Sequence, residues 1–370
     1  MICLSILVSS RVIVSCGAPT PTIASLATPT ATPSWKVIGS GLSAGAAQEI
    51  NLSINHNGTP YLAYSDYNSS LELNVKVYNS SIWSVVGAPN FTTDAAYYES
   101  LGFNGTTPYV AFEDEGTSPA YKATLDVFNG ASWVAVGGAG FSPGTVAYTS
   151  MAFNGSAPYV AFEDVLNNKV SLMGYSGSSW SAVGGGDFSA GRGNYVSLVM
   201  NGSTPYVGFS DVANGQQATV MTYNGSSWSA LGGAAFTPGT ANYTSLALSG
   251  TTPYLAFSDG TQSSKISVMS YNGSSWQYVG TAGFSGGAVS DVSIAINGST
   301  PYVAYDQDST NGNKATLMAY NGTSWQNVGG VAGISSGPAT YTSLAISNGN
   351  PYVAYGDGTN SGKATVMSYQ

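Results

Sequence analysis

Residues 243–280 read YTSLALSGTTPYLAFSDGTQSSKISVMSYNGSSWQYVG, and this stretch decides the fold. It contains four β-type runs, at residues 243–248, 253–257, 265–271 and 276–280. Apolar and polar residues alternate along the runs, and Gly, Asn or Asp separates them, which is typical of short antiparallel strands. The stretch therefore predicts a four-stranded antiparallel meander.

The same unit recurs along the chain, and each copy contains one tryptophan. The intervals between successive tryptophans are 47 to 50 residues, a period typical of β-propeller blades with four strands each. The seven residues are Trp35, Trp83, Trp133, Trp180, Trp228, Trp276 and Trp325.

The two ends of the repeat region complement each other. Residues 35–39 resemble a fourth strand with no first three before it, and residues 363–369 resemble a third strand with no fourth after it. If the first segment completes the last sheet, no strand edge stays unpaired. We therefore predict an all-β fold, a seven-bladed β-propeller over residues 35–370, closed by strand 35–39 in the C-terminal blade. A string of small sandwich domains is the main alternative, but it would not need a split blade.

Charge and composition restrict the classes of function. Only 7% of the residues are charged and the net charge is −9, which argues against nucleic acid or an anionic membrane as a partner. A neutral or weakly cationic ligand fits better. The one histidine, His56, sits in an Asn/Gly turn, which removes His-based metal sites and most nucleophilic triads. We expect no cofactor and a monomer.

The first 34 residues differ from the repeats. Residues 1–16 are mostly apolar, although Arg11 interrupts them, and residues 13–17 (IVSCG) resemble a bacterial lipobox. That resemblance implies a signal peptide and lipidation of Cys16, hence a secreted or cell-surface lipoprotein; an unprocessed tail is the alternative. Residues 17–34 are rich in Pro and Thr and predict an extended linker. No segment is predicted to be a transmembrane helix.

Turn chemistry distinguishes the two faces of the predicted ring. The first-to-second and third-to-fourth connections are short and mostly Asn-Gly, as at Asn154-Gly155 and Asn272-Gly273, which favours tight hairpin turns. The other two connections are longer and vary between blades. Because variable loops on a rigid scaffold usually carry recognition, we predict binding at this long-loop face.

An acidic residue ends each second strand, and a basic residue often follows at the start of the third. We expect each Asp to accept loop N–H groups and to pair with the Lys across the loop; a ring of ligand-binding carboxylates is the alternative. The acids are Asp66, Asp114, Asp164, Asp211, Asp259, Asp308 and Asp357, and the bases are Lys122, Lys169, Lys265, Lys314 and Lys363.

Departures from the repeat supply the candidate ligand-binding residues. Glu72 stands opposite Asp66, where other blades carry Lys or Gln, and extra carboxyl groups occur beside Asp114 and Asp164. A tyrosine opens most first strands, but Glu49 and Asp291 replace it in two blades. The predicted set is Asp66, Glu72, Glu113, Asp114, Glu115, Glu163, Asp164 and Asp291.

Residues 306–313 (DQDSTNGN) resemble a calcium loop, in which Asp306 and Asp308 would be metal ligands. Leu317 stands where the bidentate Glu of such a loop is needed, and the Gly comes one place late. Calcium is therefore the one cofactor for which the sequence offers a candidate.

The regular aromatic positions favour packing between blades over stacking on sugars, although the same ring types occur in lectins. Residues 293–325, with the pattern S-L-A-x-N-G-x-T-P-Y-V-A-Y-x-D…K-A-T-V-M-x-Y-N-G-S-S-W, resemble the tandem repeats of bacterial surface propeller proteins. The strand order and residues 224–233 (NGSSWSALGG) are also similar to seven-bladed bacterial fucose-binding lectins, which carry sugar pockets between adjacent blades.

The expected function is a non-enzymatic binding module that recognises a cell-surface protein or glycan through the long-loop face. A lectin with inter-blade sites is one alternative. A glycosidase or lyase using Glu113, Glu115 or Glu163 is a second, because paired carboxylates perform glycoside hydrolysis.

Overall fold

The split blade predicted from the chain ends is present in the computed structural model, which describes residues 33–370. Strand β1 (Trp35–Gly39) pairs antiparallel with β28 (Lys363–Tyr369), with Trp35 opposite Tyr369. Together with the two strands before β28 they form one of seven four-stranded antiparallel sheets. The predicted seven-bladed β-propeller is confirmed, including its closure.

Each of the first six blades contains four consecutive strands, and the seventh adds β1 as its outer strand. Blades 1 and 2 contain β2 (Ala47–Ile54), β3 (Pro60–Asp66), β4 (Glu72–Asn79), β5 (Ile82–Val85), and β6 (Ala96–Asn104), β7 (Thr107–Asp114), β8 (Lys122–Phe128), β9 (Trp133–Ala135). Blades 3 and 4 contain β10 (Val146–Asn154), β11 (Ala157–Asp164), β12 (Lys169–Tyr175), β13 (Trp180–Ala182), and β14 (Gly193–Asn201), β15 (Thr204–Asp211), β16 (Gln217–Tyr223), β17 (Trp228–Ala230).

The remaining blades follow the same order. Blades 5 and 6 contain β18 (Ala241–Ser249), β19 (Thr252–Asp259), β20 (Lys265–Tyr271), β21 (Trp276–Tyr278), and β22 (Ser290–Asn297), β23 (Thr300–Asp306), β24 (Thr316–Tyr320), β25 (Trp325–Asn327). Blade 7 contains β26 (Ala339–Ser347), β27 (Asn350–Asp357), β28 and β1.

Short 3-10 turns are the helical elements of the described chain. No helix in residues 33–370 is long and apolar enough to cross a membrane. The turns are Tyr67–Ser69, Val183–Gly185, Val212–Asn214, Gly260–Gln262, Ser309–Asn311, Val328–Gly330 and Gly358–Asn360.

The Asn-Gly turns have the geometry that the sequence predicts. Gly155 and Gly273 have φ values of 58° and 99°, in the left-handed region that glycine adopts most easily. Asn272 adds a second constraint, because its side-chain oxygen accepts the N–H groups of Ser274 and Ser275, both at 3.0 Å. These turns fix the register of each hairpin.

The tryptophans connect the outer parts of neighbouring blades. Each indole Nε1–H donates to a backbone carbonyl at the end of the preceding blade's outer strand, at 2.8–3.0 Å. In five blades a phenylalanine also stacks on the indole, as Phe141 does on Trp180 at a centroid distance of 3.8 Å. The packing interpretation of the tryptophans is therefore confirmed.

A second set of hydrogen bonds connects the innermost strands. In six of the seven junctions a serine hydroxyl oxygen accepts a backbone N–H from the first strand of the next blade, as Ser150 does from Leu198 at 2.9 Å. Asn51 does the same for Leu101 at 3.2 Å. The circle is closed by Ser343, which accepts the N–H of Leu52.

Apolar side chains from adjacent blades fill the space between these two sets of bonds. Leu73 and Val75 of blade 1 pack with Val110 and Phe112 of blade 2, and all four are fully buried or nearly so. Each buried side chain of this size contributes roughly 1.5–3 kcal/mol, so the core lies mainly between blades and requires the neighbour to form.

Replacing Trp180 with Phe should test the outer hydrogen bonds. The variant keeps an aromatic ring but loses the donor to the Val136 carbonyl, and we expect a loss of roughly 1–3 kcal/mol in unfolding free energy. Equilibrium urea unfolding measures it. Ser181→Ala, at an exposed position on the same strand, is the matched control; equal midpoints for both variants would refute the role of the indole bond.

Candidate functional site at the mouth of the central channel

Every first strand contains a β-bulge near its start, at the long-loop face. In blade 2, for example, the register shifts between Tyr97 and Ser100. The first bulged residue has a positive φ in all seven blades, between 47° and 54°. These seven residues are Glu49, Tyr98, Tyr148, Tyr195, Tyr243, Asp291 and Tyr341. Because a bulge redirects a side chain, the repeat places this set together.

All seven residues line one cavity of about 240 Å³ at the mouth of the central channel. Drug-sized ligands occupy pockets of roughly 300–1,000 Å³, so this cavity suits a smaller molecule such as one sugar residue. The other lining residues are Ile50, Asn51, Glu99, Thr149, Val196, Thr244, Val292 and Thr342.

Four of the tyrosines form a continuous arc. The ring centroids of Tyr98 and Tyr148 are 4.7 Å apart, those of Tyr148 and Tyr195 are 5.2 Å apart, and those of Tyr195 and Tyr243 are 4.7 Å apart. The rings are tilted by 37–49° to one another. The wall is therefore aromatic over blades 2 to 5, whereas blades 6 and 1 contribute carboxyl groups.

Glu49 and Asp291 flank Tyr341 in the ring. Burial, reinforced by the negative charge of Asp291, raises the pKa of Glu49 to about 7. The Asp291 carboxylate accepts the Tyr341 backbone N–H at 2.7 Å, and this bond lowers the pKa of Asp291 against the larger opposing effect of burial. The two carboxyl groups therefore differ in environment, because a backbone N–H donates to Asp291 whereas burial and a nearby charge act on Glu49.

Asp306 lies beside Asp291, at the end of the following strand β23. The interaction between the two neighbouring carboxyl groups lowers the pKa of Asp291 and raises that of Asp306. Burial is the larger cause for Asp306, whose pKa rises to about 9. Thr342 donates its hydroxyl to Asp306 Oδ2 at 2.9 Å. With a pKa of about 9, Asp306 is protonated at neutral pH and leaves Asp291 as the group of this pair that ionises more readily.

Glu99 is the third carboxyl group that lines the cavity. It is only 6% exposed, and its pKa is well above the usual range, chiefly because of burial and then because of the Glu49 charge. One carboxyl oxygen, Oε1, accepts the Ser65 hydroxyl of blade 1. The other, Oε2, has no hydrogen-bond partner in the described structure.

Two further glutamates lie behind the mouth. Burial raises the pKa of Glu113 to about 8, and the charges of Glu49, Glu163 and Glu115 add to the effect. Glu163 is fully buried, and Arg192 Nε lies 2.6 Å from its Oε1. This is the one ion pair within residues 33–370.

The predicted site residues fall into two groups in the structure. Glu113, Glu163 and Asp291 belong to the acidic cluster around the mouth, together with Glu49, Glu99 and Asp306. The second-strand Asp residues instead hold loops: Asp66 accepts the N–H groups of Ala44, Gly45 and Asn68. Asp114 and Asp164 accept N–H groups of their own loops, from Gly116 and Asn167.

The expected Asp–Lys ion pairs are absent from residues 33–370, so that prediction is wrong. Asp and Lys do face each other in register, as Asp164 and Lys169 show. The carboxylates, however, are occupied by loop N–H groups and third-strand hydroxyls, and Lys169 Nζ donates to the carbonyl oxygens of Ser189 and Ala190.

Three predicted residues lie away from the cavity. Glu72 faces Asp66 in register, and Glu115 accepts the Tyr121 hydroxyl at 2.9 Å. Asp308 accepts the N–H groups of Thr310 and Gly286, whereas Asp306 points to Thr342. Among residues 33–370 no group of three His, Cys, Asp or Glu is arranged to hold a metal ion. Calcium stays a prediction, and Cys16 lies outside the described residues.

Sequence reasoning noticed the substitution of Glu49 for tyrosine but did not select it, and it missed Glu99. Glu99 could have been found by comparing the same repeat position in all seven blades. The residue after the bulged tyrosine is Thr149, Thr244 or Thr342 in three other blades, and only blade 2 has an acid there.

Comparisons with known proteins concern the fold. No protein-family model matches the chain, and no curated protein matches it in sequence. The solved structure of Trypanosoma rangeli sialidase with the inhibitor DANA is 13% identical, with a TM-score of 0.50 over 88% of this chain and 55% of the sialidase. The same sialidase with 2,3-difluorosialic acid, a covalent intermediate, gives 13% identity and 0.52 over 88% and 54%. This chain thus spans about half of the sialidase.

A fucose-binding protein is also among the structural neighbours. Aleuria aurantia lectin in complex with Fucα1-6GlcNAc is 14% identical, with a TM-score of 0.49 over 77% of this chain and 96% of the lectin. The propeller fold that both resemblances implied is established by the seven four-stranded sheets of this chain. The bacterial surface origin stays a prediction.

The prediction of a non-enzymatic binding module is wrong. It took a rigid ring with variable loops as evidence for binding alone, yet the propellers that overlay 88% of this chain are sialidases, which are enzymes. The physical reason is that the repeat builds a cavity at the channel mouth from residues that are far apart in sequence.

The acidic cluster should make stability depend on pH. Glu49, Glu113 and Asp306 have raised pKa values, so the folded protein binds protons more tightly than the unfolded chain. Their contribution is complete below about pH 4.5 and is lost as pH rises through about 7 to 9. We expect Tm to fall on the order of 5 °C between about pH 5 and pH 8.5.

Thermal unfolding at several pH values measures this effect. Glu113→Gln should flatten the dependence, because a neutral amide replaces a group that must ionise in a buried place. Glu72→Gln, outside the cluster, should leave the slope as in the wild type. A Glu113→Gln curve parallel to the wild type would contradict the assignment.

Proposed function

We propose that this protein hydrolyses a glycosidic bond of a neutral or amine-bearing sugar held at the mouth of the central channel. The observation that carries the proposal is the replacement of two tyrosines of the ring by Glu49 and Asp291. Pairs of titratable groups with contrasting environments are the usual basis of acid and base roles. This site differs from the Glu113, Glu115 and Glu163 set considered from the sequence.

Glu49 suits the role of proton donor. Its pKa of about 7 keeps a large fraction protonated near neutral pH, and it lines the cavity where a leaving-group oxygen would lie. In the step, the Glu49 carboxyl proton moves to the glycosidic oxygen as the bond from that oxygen to the anomeric carbon breaks.

Asp291 suits the role of base. Burial raises the pKa of Asp291, but the N–H of Tyr341 donates to its carboxylate, and a hydrogen bond to the charged form favours that form. Its carboxylate takes a proton from the water whose oxygen bonds to the anomeric carbon, which completes hydrolysis. Asp306 itself is a positioning residue.

The charge of the cavity selects against an anionic sugar. No lysine or arginine lines it within the described chain, and Arg192 is paired with Glu163. Sialic acid carries a carboxylate, so the substrate of the structural neighbours is not transferred to this protein. The tyrosine arc supplies ring surface for the C–H groups of a neutral sugar.

A glycan substrate agrees with the localisation proposed from the N-terminus. We propose the protein as secreted or held at the cell surface through Cys16, where glycans are accessible. Calcium binding at residues 306–313 is not needed for the proposed step.

Hydrolysis of aryl glycosides tests the proposed function. Neutral or amine-bearing hexosides should release the aryl alcohol, and sialosides should not. Glu49→Gln and Asp291→Asn should each lower kcat by about 10²–10⁴, the usual contribution of a general acid or base. Glu72→Gln is the matched control and should retain wild-type turnover. Unfolding curves of all variants verify that each one is folded.

Two outcomes would overturn this proposal. The first is an absence of turnover on every neutral and amine-bearing glycoside in a broad panel. The second is turnover that survives unchanged in folded Glu49→Gln protein.

A further inference from the structure

The cavity has an acceptor that nothing in the described protein satisfies. Glu99 is more than nine-tenths buried and lines the cavity, yet its Oε2 accepts no hydrogen bond. A buried polar atom without a partner costs roughly 1–3 kcal/mol, so a ligand that donates to it gains that amount relative to one that does not. The site is therefore incomplete without a hydrogen-bond donor.

The electrostatic surroundings favour a donor that is positively charged. Glu49, Glu99 and Asp291 all line the cavity, and no basic residue among the described ones does so. Behind them lie Glu113 and Asp306, both buried. Charge-assisted hydrogen bonds are about twice as strong as neutral ones, and a bound cation also favours the ionised form of carboxyl groups whose pKa values burial has raised.

The opposite wall is suited to the same kind of group. The arc of Tyr98, Tyr148, Tyr195 and Tyr243 presents closely spaced phenol rings. Aromatic rings attract ammonium groups, and this attraction is larger when the cation is shielded from water. A ligand that carries an ammonium group thus finds favourable contacts on both sides of the cavity.

We infer that the sugar recognised at this mouth carries a free, protonated amino group, which donates to Glu99 Oε2 and to the carboxylates of the ring. The inference rests on the proposed function and specifies its substrate class, an amino sugar that is not N-acylated. The ammonium group has three donors, and Glu49, Glu99 and Asp291 supply acceptors from blades 1, 2 and 6.

Other ligand classes leave the site less satisfied. A metal ion is disfavoured, because no three acidic groups among residues 33–370 are arranged to hold one. An N-acetylated sugar presents one amide N–H without a charge. A sugar with hydroxyl groups alone can donate to Glu99 but leaves the negative charges uncompensated.

Calorimetric titration with glucosamine, N-acetylglucosamine and glucose at about pH 7 tests the inference. We expect glucosamine to bind at least about tenfold more tightly than the other two, a difference of about 1.4 kcal/mol. Glu99→Gln should remove most of this preference, because it weakens the binding of glucosamine far more than that of glucose. Gln is isosteric and retains an oxygen that can accept from Ser65. Glu72→Gln should bind all three sugars as the wild type does.

A second titration at about pH 5 distinguishes the contribution of carboxylate charge to the glucosamine preference from that of the shape of the cavity. Because Glu49, whose pKa is raised to about 7, takes up a proton between these two pH values, the preference for glucosamine should shrink severalfold. The groups that face the ligand or lie behind it are Glu49, Glu99, Asp291, Glu113, Asp306 and the Glu163–Arg192 pair.

The outcomes distinguish this inference from the proposed function. Equal affinities for glucose and glucosamine would overturn the inference, and so would a preference that the folded Glu99→Gln protein retains. In either case, hydrolysis of neutral glycosides would still support the proposed function. Selective glucosamine binding without hydrolysis of any glycoside would support the inference and refute the function. If none of the three sugars binds at millimolar concentration, the inference fails.

Discussion

The structure depends on the hydrogen bonds that connect each blade to the next at both radii. Near the axis, an oxygen of one first strand accepts an N–H of the next first strand, and at the rim an indole N–H reaches the preceding blade. Both bonds run in one direction around the ring. Because the apolar core also lies between blades, a single blade has little stability of its own, and closure through β1 is what completes the last interface.

The inner hydrogen bonds also explain why the channel mouth can vary. The serine that accepts from the next blade lies two residues after the bulged position, so these inner bonds do not use the bulged side chain. Asp291 adds a further bond to the next blade, from the Tyr341 N–H. Its left-handed backbone conformation costs roughly 1–2 kcal/mol, yet the conformation occurs in all seven blades and is a property of the bulge. Replacement of tyrosine by Glu49 or Asp291 therefore alters the cavity without altering the ring.

Features that repeat could be predicted from the sequence, because each copy gives independent evidence for them. The tryptophan period, the split blade and the Asn-Gly turns each led to the observed architecture. The Asp–Lys pairs failed for a local reason, since the loop N–H groups compete for the same carboxylate oxygens. Cross-strand register alone does not determine which partner a carboxylate takes.

The cavity was harder to predict because its residues are distant in sequence and its chemistry depends on departures from the repeat. Glu49 and Asp291 come from blades 1 and 6, and their proximity follows only once the ring is closed. Glu99 was overlooked because it follows a regular tyrosine and looks like one more polar residue of a strand. Its burial and its vacant acceptor, which no sequence pattern encodes, are what give it significance.

The buried acidic residues around the channel mouth lower the stability of the folded protein at neutral pH, and this suggests that they serve a ligand. The buried carboxyl groups of blades 1, 2, 3 and 6 share one arginine within residues 33–370, so several of them remain protonated or unpaired. On the second strands, the position held by Glu113, Glu163 and Asp306 is a serine in blades 1, 4 and 5. These serines, Ser65, Ser210 and Ser258, are buried and carry no charge. Since the fold accepts serine at this position, the acids are not required for closure. Retaining them lowers stability at neutral pH, and a cationic group bound at the mouth would offset that loss.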